Sequence, residues 1–339
     1  MDRKEVKFPT SLDAFLGNPR AVEVLRRAVE LDRLPHALIF AGPAGVGKRT
    51  LAILLAQLLN CRSPVGRGAC GVCPSCRKIA VMSHPDVRVI EPDGAFIKIE
   101  QVRQLIGEIA YQPFEGRYRV AILDGAEQMR QEAANSLLKT LEEPPSRTVI
   151  VLVTANPYLL LTTIRSRCRL LQFGGIPEDR IEAYLVACEG WDQRDARLAA
   201  ELSQGSLGRA LGFDPAAHLE TRDRALRFLT LLLTRGSFAE ASRLIAATAK
   251  DKDAFEVWLD SVRTALQKLY YAKTVPDRAG LQDGPRELRQ LAEATSAPAV
   301  ASAIRAVDRL RLGLQFNLNR QVAAESLFLQ VRELEPSGL

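Results

Sequence analysis

Phe40-Ala41-Gly42-Pro43-Ala44-Gly45-Val46-Gly47-Lys48-Arg49-Thr50 lies between a short apolar run, 37–40, and the helix-like run Leu51-Ala52-Ile53-Leu54-Leu55. Glycines at such a strand-to-helix junction let backbone N–H groups curl around a phosphate. The helix N-terminus adds a partial positive charge there, and Lys48 adds a full one. The spacing G-x-x-x-x-G-K is met by Gly42, Gly47 and Lys48. The next position of that pattern takes Ser or Thr, whose hydroxyl holds Mg²⁺. Here it is Arg49, and Thr50 comes one residue late. A helical residue shifted by one points about 100° away, so Thr50 is not expected to replace the missing ligand. The stretch reads as a phosphate loop whose metal has lost a ligand.

Outward from this loop, strand and helix alternate. Before it, Ala21, Val24, Leu25, Ala28 and Val29 recur at helical spacing after a capping Ser11 and are expected to face a core. His36, just ahead of the first strand, has no acid or nucleophile near it in sequence, and a structural or nucleotide-adjacent role is expected. A helix over 50–60 follows the loop. Further on, 87–90 reads as strand, 99–109 as amphipathic helix, 118–123 as strand, 131–141 as helix, and 149–153 and 170–173 as strands. Strands separated by helices imply an α/β P-loop domain, a parallel sheet flanked by helices with its ligand site at the carboxyl ends of the strands. Asp124 stands at such an end, placed to hold Mg²⁺ through water. The neighbour that would polarise an attacking water, normally Glu, is Gly125. Glu127, two residues further, is expected to point elsewhere.

Between the P-loop helix and the next strand comes C-x8-C-x2-C-x2-C: Cys61, Cys70, Cys73 and Cys76, in a stretch with Gly66, Gly68, Gly71 and Pro74. Four soft thiolates at this spacing suit one tetrahedral Zn²⁺. Closed at four ligands, the site has no open position for water, so the zinc is structural; His84 is a spare ligand that is not needed. A DNA-reading role for this loop is disfavoured, because Arg62, Arg67, Arg77 and Lys78 form no basic-aromatic cluster.

The chain has 339 residues, 47% of them hydrophobic, with a net charge of +6 and a pI of about 9.1. That composition is ordinary for a globular protein with room for two or three domains, and the charge favours an anionic partner only weakly. The N-terminal residues lack the apolar core of a signal peptide, and no run is long enough to span a bilayer. A cytoplasmic protein with reduced or metal-bound cysteines is the expectation.

Several motifs together carry a resemblance. Leu137-Leu138-Lys139-Thr140-Leu141-Glu142-Glu143-Pro144-Pro145, Ser166-Arg167-Cys168, Arg33-Leu34-Pro35-His36-Ala37 and the four-cysteine insertion resemble the signatures of the bacterial DNA polymerase III clamp-loader AAA+ family. The match in motifs covers roughly residues 9–212. The gamma/tau motor branch has G-K-T or G-K-S, an Asp-Glu pair and a lid helix reading G-S-x-R-D-A-L. This chain has Gly47-Lys48-Arg49, Asp124-Gly125 and Gly205-Ser206-Leu207-Gly208-Arg209-Ala210-Leu211. Three departures at three ATP-handling positions make it similar to the delta-prime branch.

The resemblance implies an AAA+ domain over 1–175 with its zinc insertion at 61–76, a small helical lid over 176–213 in which Ile181, Tyr184 and Leu185 face inward, and an all-helical collar over 214–339 that assembles with sister subunits. Asp214-Pro215 marks the break, and 275–287 reads as a polar linker within the collar. Gly42, Gly45, Gly47, Lys48, Thr50, Asp124 and Thr154 form a vestigial nucleotide set, and whether ATP binds stays open. The implied function is non-hydrolysing: to help gamma/tau and delta subunits load a sliding clamp onto primer-template DNA, with an ATP-hydrolysing motor of gamma/tau type as the alternative. Gln101 and Arg103, near a helix start, are candidates for phosphate contact with DNA, and a solvated helix face explains them equally well. The Ser-Arg-Cys motif assigns an arginine finger to Arg167, acting on a neighbour's nucleotide; an ordinary surface ion pair remains the alternative, since Arg165, Arg167 and Arg169 alternate.

Overall fold

The structure is a computed structural model that describes residues 12–66, 68–234, 236–274, 286–314 and 318–333. The chain divides into two compact units at Phe213/Asp214.

The first unit runs α1 (Pro19–Glu30), β1 (Ala37–Ala41), α2 (Lys48–Asn60), α3 (Pro74–Ala80), β2 (Val87–Ile90), α4 (Ile99–Ile109), β3 (Arg119–Asp124), α5 (Gln131–Glu142), β4 (Thr148–Thr154), α6 (Thr162–Arg165), β5 (Arg169–Gln172), α7 (Glu178–Glu189), α8 (Gln193–Leu202) and α9 (Leu207–Leu211). The five strands form one parallel sheet in the order β2-β3-β4-β1-β5. β1 and β4 are buried along their whole length. Strand side chains alternate between faces, and here the two faces feed separate cores. Leu38, Phe40, Val120, Ile122, Val149 and Val151 pack towards α1 and α2. Ala37, Ile39, Ala121, Leu123, Ile150 and Leu152 pack towards α4, α5 and α6. Both faces are therefore covered, as an all-parallel sheet requires. This is the α/β arrangement expected of a P-loop domain, a parallel sheet flanked by helices.

Boundaries shift where backbone groups find other partners. β3 opens at Arg119 rather than at residue 118, because the Tyr118 amide and carbonyl are both bonded to the Asn60 side chain. α2 opens at Lys48 rather than at residue 50, because left-handed Gly47 (φ 93°) is its N-cap and its carbonyl accepts from the Leu51 amide. In α1, Val24 is exposed and Val22 is buried with Ala21 and Leu25. Val24 lies roughly 100° from the centre of the face those residues share, so it points to solvent and not, as its spacing suggested, into the core. Ser11 lies outside the described residues.

Helices α7, α8 and α9 bury Ile176, Ile181, Leu185, Ala196, Ala199, Ala200 and Ala210 in a small core of their own. The second unit contains α10 (Pro215–Leu233), α11 (Phe238–Thr248), α12 (Lys252–Thr274), α13 (Arg286–Ala294), α14 (Ala297–Leu314) and α15 (Arg320–Glu333). They pack around Phe228, Phe255, Trp258 and Phe328, with Phe228 edge-on to Trp258 at 5.0 Å. Most of the polar stretch 275–287 lies outside the described residues, but Arg286 and Glu287 already belong to α13. Among the described residues no helix is long and apolar enough to cross a membrane.

Candidate functional site

A cleft of about 660 Å³ opens at the carboxyl ends of β1, β3 and β4, between the sheet and helices α7 and α9. The P-loop forms its floor. Gly42 has to be glycine, since a Cβ there would stand 2.3 Å from the Phe173 carbonyl oxygen. Gly45 (φ 74°) and Gly47 (φ 93°) are left-handed, which turns successive amides inward towards α2. Lys48 is 7% exposed, and its ammonium donates to the Gly42 and Pro43 carbonyls, both at 2.6 Å. Burial lowers its pKa, while the Glu127 and Asp124 carboxylates act in the opposite sense.

Arg49 sits in the first turn of α2. Its Nη1 donates to the Glu91 carboxylate just past β2, and lies 3.5 Å from Oδ2 of Asp124 at the end of β3. Burial raises the Asp124 pKa, Arg49 pulls it back and Glu91 pushes it up again. The magnesium that a P-loop implies does not fit this arrangement. Its hydroxyl ligand is missing, and its carboxylate ligand already faces a guanidinium. Thr50 does line the cleft, as does Thr154, whose Oγ1 accepts from the Asn156 amide at 3.1 Å.

Glu127 also lines the cleft, contrary to expectation. A short 3₁₀ turn after left-handed Gly125 swings it back, and its Oε1 accepts from the Ala155 amide at 3.0 Å. Its Oε2 is buried with no hydrogen-bond partner among the described residues. Glu91 was not foreseen either; the available signal was its place directly after a parallel strand.

Phe15, Leu16, Ile176, Tyr184, Leu207 and Leu211 add apolar side chains to the cleft lining. Part of this lining meets the P-loop directly, Phe15 standing against Gly47. The Gly208 amide donates to the Gly45 carbonyl at 2.9 Å, and a Cβ on Gly45 would stand 2.1 Å from Ser206 Oγ. Gly208 occupies the place where the motor pattern has its lid arginine. His36 lies outside the cleft lining and bonds through Nε2 to the Leu141 carbonyl at 3.0 Å, so its role is structural.

At the other end of α2 the four cysteines converge. The Sγ atoms of Cys61, Cys70, Cys73 and Cys76 all lie within 4.8 Å of one another, and Cys61 and Cys70 are 3.5 Å apart. With metal–sulfur bonds of 2.3 Å, a tetrahedral set would show sulfurs roughly 3.8 Å apart, so the donor set fits one metal ion. Amides of Cys70, Cys73 and Cys76 point at the sulfurs of Cys61, Cys70 and Cys73 at 3.3, 3.3 and 3.5 Å. Burial opposes ionisation of Cys73, but the amides of Cys76 and Arg62 outweigh it and bring the thiol down to about 6. His84 is not in the set. It is buried beneath α3, with Nε2 3.1 Å from Ser75 Oγ and Nδ1 accepting from the Asp86 amide at 3.1 Å.

Arg167 lies on the turn between α6 and β5. Its Nη1 donates to the Thr163 carbonyl at 2.9 Å and to Ser166 Oγ at 3.3 Å, and its Nη2 to the Glu142 carboxylate at the end of α5. Its neighbours differ: Arg165 stands over the Tyr158 ring at 5.3 Å, and Arg169 is an exposed residue of β5. The adjoining Cys168 is an inert thiol, pushed up to about 12 by burial. Gln101 is engaged in capping α4, accepting from the Lys98 amide and donating to the Glu91 carbonyl, both at 2.9 Å, whereas Arg103 is exposed.

The family described as "DNA polymerase III, delta subunit" matches residues 17–177. DNA polymerase III subunit delta' of Bacillus subtilis is 31% identical over 318 residues, which is 93% of this chain and 96% of that one. The corresponding subunit of Pseudomonas aeruginosa is 46% identical over 135 residues, 39% of this chain and 41% of its own length. DNA polymerase III subunit tau of Escherichia coli is 34% identical over 215 residues, 62% of this chain but only 33% of that one.

Proposed function

This chain belongs to the DNA polymerase III delta-prime family, and from that premise we propose that it takes part in clamp loading without hydrolysing ATP itself. It is a clamp-loader subunit, accessory to the polymerase. The observation that carries the non-hydrolysing reading is the Arg49 guanidinium facing Asp124, which takes both ligands from the metal that phosphoryl transfer requires. Gly125 adds to it, since no carboxylate follows Asp124 directly.

The function then lies at the chain's edge. Arg167 serves as a finger for the nucleotide of a neighbouring gamma/tau subunit, its planar and permanently charged group suited to a γ-phosphate. Such an arginine is worth roughly 10³–10⁵ in rate in GTPases. Residues 176–213 act as the lid, and 214–339 as the collar that assembles with gamma/tau and delta. The four cysteines hold a structural Zn²⁺. The assembled complex engages the sliding clamp and primer-template DNA, the latter through phosphate contacts for which Arg103 is a candidate, and it works in the cytoplasm.

A second reading, a gamma/tau-type motor, draws on one observation: Glu127 places an unpartnered carboxylate oxygen in the cleft that holds Lys48. Turnover decides between the two. The purified chain should show no ATPase above background, and the complex containing Arg167→Ala should assemble but lose DNA- and clamp-stimulated turnover. Turnover by the chain alone that Lys48→Ala abolishes would establish the motor. Unchanged rates in the assembled Arg167→Ala complex would reduce Arg167 to its ion pair with Glu142.

A further inference from the structure

We infer that the cleft takes a nucleoside polyphosphate without a divalent cation, the Arg49 guanidinium standing where the metal would be. This rests on the non-hydrolysing reading and specifies the ligand state of the same site.

Magnesium binds with near-octahedral geometry at 2.0–2.1 Å, keeps several waters, and uses one or two carboxylates together with substrate phosphates. Asp124 is the carboxylate placed for that task, and Arg49 Nη1 is 3.5 Å from its Oδ2. Glu91 holds the guanidinium from the other side. An arginine cannot give up its proton to make room, so a dication brought to Asp124 would sit beside a fixed positive charge. The same guanidinium has five N–H donors in a rigid fork. Two carboxylates occupy part of that fork and leave donors for a phosphate oxygen, a geometry for which arginine is well matched.

The rest of the phosphate cradle is intact. Gly45 and Gly47 keep their left-handed backbones, and Lys48 is held at the loop by the Gly42 and Pro43 carbonyls. The apolar side chains in the cleft lining suit an aromatic base, and about 660 Å³ falls within the range of sites that enclose a small ligand. Lys48 and Arg49 face three carboxylates, Glu91, Asp124 and Glu127, so the polyphosphate meets incomplete charge compensation. The complex is therefore weaker than a metal-assisted one.

The test is equilibrium binding of ATP and ADP to the full chain, once in EDTA and once in excess Mg²⁺, with phosphate release followed in the same samples. Wild-type affinity should agree between the two conditions within about threefold. Arg49→Thr, which restores a hydroxyl and frees Asp124, should bind at least about tenfold more tightly with Mg²⁺ than without. Three results would overturn the inference: wild-type binding strengthened about tenfold by Mg²⁺, no ATP or ADP binding in either condition, or an Arg49→Thr chain still indifferent to Mg²⁺. If that variant does not fold, the wild-type arms decide alone. Mg²⁺-dependent binding without phosphate release removes this inference and leaves the non-hydrolysing reading standing, whereas Mg²⁺-dependent release removes the reading itself.

Discussion

At its N-terminal end α2 presents Arg49 to the carboxylates of Asp124 and Glu91, while at its C-terminal end the chain passes directly into Cys61 and the loop of four thiols. Both ends are places where an ion is expected. At the first, the positive charge comes from the chain itself. At the second, four sulfur donors face one another, and the local core consists of Cys61, Ala69, Cys73 and Cys76, with Cys70 packed against it. The difference lies in what fixes the donors. Asp124 and Glu91 are anchored by parallel strands whose side chains fill two large cores, so a single guanidinium is enough to bridge them. The thiols share only a small core, and beyond the tie of Cys76 to α2 through Gln57 their geometry depends on one another and on what they hold.

The sharpest way to break this comparison is to remove the metal. A structural zinc site contributes on the order of 10 kcal/mol or more in small peptides. The purified chain should carry one Zn²⁺ with four thiols slow to titrate, and Cys76→Ser or chelation should expose 61–80 to protease while the sheet survives. Four freely titrating thiols and no bound metal would show that this end, too, is satisfied from within.

Asp86 offers a smaller test beside the same module. Its carboxylate accepts from the amides of Phe114, Glu115 and Gly116 at 2.6, 2.9 and 2.8 Å. Burial favours its protonation, but these amides, aided by Arg119, outweigh burial and hold its pKa below the usual carboxylate value. Asp86→Ala should cost about 3 kcal/mol, since it strips a charged acceptor from three donors. With the folded pKa depressed, the contribution is complete above the unfolded value near 3.8 and is lost as pH falls through the folded one. Acid unfolding of wild type against Asp86→Asn should therefore converge at low pH. Curves that stay parallel to the lowest pH would mean that the carboxylate's charge is not what holds the loop.

The smallest effect is expected at the N-terminal end. Arg49 and its partners are partly exposed, and such pairs contribute about 1 kcal/mol or less. Urea unfolding of Arg49→Ala should shift little. A loss of several kcal/mol would make Arg49 a structural post rather than an internal counter-ion.

Much of this was legible in the chain because it is local. Glycine spacing fixes where the backbone can turn left-handed, continuous apolar runs such as 37–40 and 149–153 mark strands buried on both faces, and C-x2-C-x2-C brings thiols together within a few residues. These signals act over one turn or one strand. Arg49 meets Glu91 across 42 positions and Asp124 across 75, and Arg167 meets Glu142 across 25. Such encounters are set by the strand order β2-β3-β4-β1-β5, which gathers the ends of β1, β3 and β4 on one rim and leaves β2 beside them. Nothing in the periodicity of a strand states which strand will lie next to it. The sequence therefore determined that a phosphate loop had lost its hydroxyl ligand and that four cysteines form one donor set. Only the tertiary structure decided that a guanidinium stands against the metal's carboxylate, that Glu127 turns into the cleft, and that Gly208 docks on Gly45, because each depends on crossovers that bring distant strand and helix ends within hydrogen-bonding reach.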